Sequence, residues 1–137
     1  MAPAAWLGGD YDEISYIQQQ ITVPADRPYL SYYHWIASTD TCGYDLGGVL
    51  VNGVVVEEYD LCTANNTGGW VKRVVNLSAY AAQSVAIQIR AECDNYLNSN
   101  LFIDHVAFQS SNLGANQLPS VFIDIDASIL KQDVLGK

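Results

Sequence analysis

The stretch Val49-Leu50-Val51-Asn52-Gly53-Val54-Val55-Val56 constrains the fold more than any other. Asn-Gly between two β-branched runs specifies a two-residue hairpin turn, because both central positions need a positive φ that Asn and Gly tolerate. The rest of the chain carries the same texture. Over residues 14–23, Ile17, Ile21 and Val23 share one parity, and Gln18, Gln20 and Thr22 the other. That is the alternation of a strand with one wet face, and Pro24 and Pro28 close it. Residues 29–38 put Leu30, Tyr32, His34 and Ile36 on one face and Ser31, Tyr33 and Trp35 on the other. With large rings on both, this strand is expected to be central and covered on both sides.

Further strands are expected over residues 70–75, 85–91 and 101–108, with a single helical turn over 78–82. Residues 39–48, 65–69 and 94–100 read as polar, turn-rich loops. About seven short strands without a helical period between them predict an all-β antiparallel β-sandwich, jelly-roll in type, rather than an α/β fold. The texture changes after residue 109. Residues 4–109 are expected to form one module, with 110–137 a linker, extra strand or tail. Within it, 120–126 could add a strand, and 129–137 reads as a frayed tail. Asp124, Asp126 and Ser128 start like a calcium loop, but Ile129 and Leu135 stand where glycine and a bidentate Glu are required.

Composition narrows the function. Nine Tyr against one Met, with half the residues apolar, suits strands. Fifteen acidic residues face six basic ones, for a net charge of −9. A phosphate backbone or an anionic bilayer needs a basic face, so neither nucleic acid nor membrane is expected as a partner. No phosphate loop, Gly-x-Ser-x-Gly or His-Glu-x-x-His pattern is present, and His34 and His105 fall inside strand patterns, so no enzyme is expected.

Three cysteines bear on the compartment. In a hairpin centred on Asn52-Gly53, facing positions have numbers that sum to 105. Cys42 and Cys62 sum to 104, which brings them within disulfide reach. Such a bond implies an oxidising compartment, secreted or at the cell surface. Cys93 is left over, either a buried small side chain or a free thiol.

Several segments together resemble a known family. They are Trp6-Leu7-Gly8-Gly9, Ile21-Thr22-Val23-Pro24, Gly43-Tyr44-Asp45, Gly69-Trp70-Val71, residues 76–85 around Leu77-Ser78-Ala79-Tyr80, and Leu101-Phe102-Ile103-Asp104. The chain resembles the MAM-like jelly-roll modules of bacterial secreted peptidases and surface proteins, which are galactose-binding-like in architecture. It departs from them at Asn76, Ala82 and His105, where such modules commonly carry Asp, Gly and Asp. The resemblance implies a non-catalytic accessory module that binds a carbohydrate or protein partner. The alternatives are a structural domain supporting a catalytic neighbour and a small glycan-active enzyme.

The resemblance also implies a structural Ca²⁺ where loops meet the end of the last strand. Calcium takes six to eight hard oxygens. Asp40, Asp45, Asp94 and Asp104 are the expected metal ligands, among oxygen-rich loops that also hold Asp10, Asp12, Glu13 and Asn98. For a glycan, exposed rings beside amides or carboxylates are required, provided two or more share a face. Trp6, Tyr11, Tyr44, Trp70 and Tyr96 lie in or beside the expected loops and are the ligand-binding candidates.

Overall fold

The Asn52-Gly53 turn has φ angles of 51° and 82°, and the strands it joins are β4 (Leu46–Val51) and β5 (Val54–Asp60). In the computed structural model, which describes residues 4–114 and 131–136, seven more strands surround this hairpin. They are β1 (Ala5–Gly8), β2 (Glu13–Thr22), β3 (Tyr29–Ser38), β6 (Val71–Asn76), β7 (Ser84–Cys93), β8 (Ser99–Gln109) and β9 (Lys131–Gly136). Short 3-10 turns occupy Thr63–Asn65 and Ser78–Tyr80.

The strands form two sheets, ordered β1-β8-β3-β6 and β5-β4-β7-β2-β9, with every pair antiparallel. The first eight strands pair as a nested set: β1 with β8, β2 with β7, β3 with β6 and β4 with β5. The chain is an all-β antiparallel sandwich. Leu7, Leu30, Tyr32 and Leu101 of one sheet meet Val49, Val51, Val85 and Ile89 of the other in a sealed core. At the open side, Arg73 of β6 pairs with Glu57 of β5 and lies 4.6 Å above the Tyr59 ring, tying the edge strands of the two sheets together. Tyr59 also shares a 3.0 Å hydrogen bond with the buried Tyr32 hydroxyl.

Several expectations need correction. Trp6, expected in or beside a loop, lies in β1, a strand because Ala5–Gly8 finds a partner on β8, nearly a hundred residues away. β4 begins at Leu46, inside the expected 39–48 loop. Gly47 and Gly48 mark close approach rather than a turn: a Cβ at Gly47 would lie 2.6 Å from the Tyr59 ring, and one at Gly48 2.5 Å from the Glu57 carbonyl oxygen. Ser99 and Asn100 belong to β8, not to the preceding loop. β3 is central, but its second face is open, with Trp35 37% exposed. The symmetric hairpin register holds at Leu50–Val55 and Val51–Val54, and a bulge beyond them shifts it by one. Lys131–Gly136 is a strand beside β2 rather than a frayed tail. The expected strand over 120–126 lies outside the described residues.

Candidate functional site

The open face of the four-stranded sheet carries a row of rings. Side chains directly opposite on adjacent strands share a face, and the register places Trp6 of β1 opposite Phe102 of β8, and Phe102 opposite Trp35 of β3. Trp70, just ahead of β6, completes the row. Centroid steps are 6.2 Å from Trp6 to Phe102, 6.3 Å from Phe102 to Trp35 and 5.8 Å from Trp35 to Trp70. The Trp6–Phe102 step is near-parallel at 28°, whereas the two steps at Trp35 are edge-to-face at 68° and 77°. Such offset and edge contacts stabilise the rings against one another. They still leave much apolar surface in water, since Trp6 is 56% exposed.

Polar groups border the row. The Asn100 amide accepts a 2.9 Å hydrogen bond from the Trp6 indole N–H and donates one of 3.1 Å to the Ala37 carbonyl. On the other side, Tyr33 of β3 faces Asp104 of β8 and Lys72 of β6. Of the five ring residues expected from sequence, the structure thus brings Trp6 and Trp70 together. Trp35, expected within its strand, and Phe102, which enters the sequence reading only as part of the Leu101-Phe102-Ile103-Asp104 segment, join them. Both sit at the opposite parity to buried neighbours (His34 and Ile36, Leu101 and Ile103), which is the signal that could have found them.

Tyr11, Tyr44 and Tyr96 are exposed but belong to a different place, three loops at one end of the sandwich. Backbone bonds hold those loops together, from the Asp12 N–H to the Asp94 carbonyl and from the Thr39 N–H to the Asn98 carbonyl. A disulfide between Cys42 and Cys62, with Cα atoms 4.8 Å apart, pins the same end. Cys93 is buried, and its thiol donates to the Ser99 carbonyl.

Among these loops, Asp40, Asp45 and Asp94 converge, with one carboxylate oxygen from each lying within 4.8 Å of the others. Asp45 is fully buried and held on both oxygens, by the Asp94 N–H at 2.8 Å and the Ser99 hydroxyl at 2.7 Å. Burial pushes its carboxyl above the usual range; those two hydrogen bonds oppose the shift, and neighbouring Asp40 and Asp94 add to it. Asp40 is 2% exposed; one of its oxygens accepts the Thr41 N–H, while Oδ2 has no partner. Asp104 stands apart on β8, beside His105. Asp10, Asp12 and Glu13 lie around the turn into β2, with Asp12 at a positive φ of 51°.

His34 lies inside the sandwich with its ring edge-on to Tyr59 at 5.2 Å, and its Nδ1 is buried without a hydrogen-bond partner. Burial, reinforced by the Arg73 charge, lowers its pKa to about 3, so it is neutral at ordinary pH. Sealed from solvent at 3% exposure, it cannot reach a substrate. The described site therefore offers stacking surface and hard oxygens more readily than an acid–base pair. No protein-family model matches the chain, and no curated protein matches it either.

Proposed function

We propose that this chain is a non-catalytic accessory module of a secreted or surface protein, which binds a neutral carbohydrate on its aromatic row. The observation that carries this reading is the Trp6–Phe102–Trp35–Trp70 row on an open sheet face. The apolar C–H faces of a pyranose stack on such rings, while its hydroxyls need polar groups at the margin, and Asn100 and Lys72 stand there. Three steps of about 6 Å suit several consecutive sugars better than a single one. A net charge of −9 disfavours an anionic polymer. The nested strand pairing supports a jelly-roll, MAM-like reading of the sandwich, and the disulfide is compatible with an extracellular setting.

The test is calorimetric titration with soluble neutral polysaccharides and their oligosaccharides. Binding in the micromolar to millimolar range that is lost in Trp35→Ala supports the reading. Failure of every neutral glycan to bind overturns it. The same row favours one other reading, a packing face for a neighbouring domain, which predicts no glycan affinity and an intermolecular contact made through Trp6 and Trp35.

A further inference from the structure

From the tip of the β4–β5 hairpin, we infer a self-modification site: in the folded protein the Asn52 side chain cyclises onto the Gly53 nitrogen and is converted to aspartate and isoaspartate. Water is the only co-reactant. The Gly53 nitrogen attacks Asn52 Cγ and gives its proton to solvent, and the Cγ–Nδ2 bond breaks to release ammonia. Water then opens the five-membered imide at either carbonyl. Addition at Cγ yields aspartate. Addition at the main-chain carbonyl breaks its bond to Gly53 and yields isoaspartate, with the chain running through Cγ. Of the asparagines in the chain, only Asn52 precedes a glycine, so only there does the attacking nitrogen belong to a residue with no side chain in the way.

The fold lets this happen without opening the strands. Asn52 and Gly53 are exposed, a Cβ at Gly53 would meet nothing within 4 Å, and the Gly53 N–H donates no hydrogen bond among the described residues. Their φ angles of 51° and 82° define a turn with both central positions left-handed. Rotating the peptide unit between them gives the other tight hairpin turn. Asn52 then stays at a φ of about +60° while its ψ swings to about −120° and the Gly53 φ to about −80°. Glycine adopts that φ freely. At that ψ the Gly53 nitrogen is nearly eclipsed with Asn52 Cβ, the arrangement in which a five-membered ring through Cγ closes. The rotation spares the Val51–Val54 pairing and the 2.9 Å bond from the Asn52 N–H to the Ala86 carbonyl. The side-chain oxygen of Asn52 accepts the Ala86 N–H at 2.9 Å. That bond restrains the side chain, but it also supplies a donor to the oxygen as attack on Cγ makes it negative. The cost of the rotated turn is strain, because asparagine enters a conformation that glycine favours.

The experiment incubates the whole chain, disulfide intact, in mildly alkaline buffer beside a capped peptide of residues 51–54, and follows mass and isoaspartate content with time. Expected is conversion roughly ten- to a hundredfold slower than in the peptide, the factor for one strained residue, and unchanged by urea below the unfolding transition. Fragmentation should place the small mass gain, the exchange of NH for O, at Asn52 as a mixture of aspartate and isoaspartate. Asn52→Gly, which keeps the turn, should show no gain on the same timescale. A reaction that must wait for unfolding is at least about a thousandfold slower than in the peptide and is accelerated by urea; that result overturns the inference. So does a product that is aspartate alone, or a gain that appears first at another asparagine.

Discussion

Trp35 touches two other rings of the row, Phe102 and Trp70, so it is the residue at which binding and stability separate most clearly. Trp35→Ala should weaken glycan binding by at least about tenfold, equivalent to roughly 1.4 kcal/mol. The loss of two ring contacts should cost about 1–3 kcal/mol of stability, read from the urea midpoint alongside titration. His34 makes a second prediction at this scale. Its folded pKa of about 3 lies below the ordinary 6.5, so the unfolded chain takes up a proton that the folded chain refuses. Stability is full above pH 6.5 and is lost as pH falls toward 3, by up to on the order of 4 kcal/mol. His34→Leu, which leaves no unpaired nitrogen, should flatten that limb in unfolding curves collected between pH 3 and 7. A limb unchanged in the variant would assign the acid sensitivity elsewhere. The parity of Trp35 and Phe102 was legible in the sequence. Their adjacency was not, because it depends on the pairing of β3 with β8, about seventy residues apart.

The β4–β5 hairpin was the most legible element, since its turn is dictated by two residues with positive φ. Asn52 has a second role that its local sequence does not reveal: its side-chain oxygen accepts the Ala86 N–H on β7 at 2.9 Å. Asn52→Ala removes that bond and places alanine at φ 51°, so it should cost about 2–3 kcal/mol, measured as a lower denaturation midpoint at constant slope. Asn52→Gly keeps the turn and should cost about 1 kcal/mol, the hydrogen bond alone. Strands of four residues, or with paired glycines, were the illegible ones. β1 is too short for alternation to register, and Gly47 and Gly48 resemble turn residues until the crowding around them is seen.

At the scale of the molecule, composition and alternation were enough for an all-β sandwich. The sheet order was not legible, because pairing partners such as β1 and β8 leave no local trace. The oxygen-rich loops were identified in sequence, but which of them meet is a property of topology: Asp94 reaches Asp45, while Asp104 lies outside the group that Asp40, Asp45 and Asp94 form. The Cys42–Cys62 bond closes a ring around the whole hairpin. Replacing both cysteines by serine should cost about 3 kcal/mol, or roughly 10 °C in midpoint, and reduction of the native chain should produce a comparable loss.

That ring also bears on survival among proteases. The tip of the hairpin, Asn52-Gly53, is exposed and is the natural place for a cut. Because Cys42 and Cys62 lie on either side of it, a nicked molecule remains one covalent object. On a gel it should run as a single band until reductant is added and then separate into two.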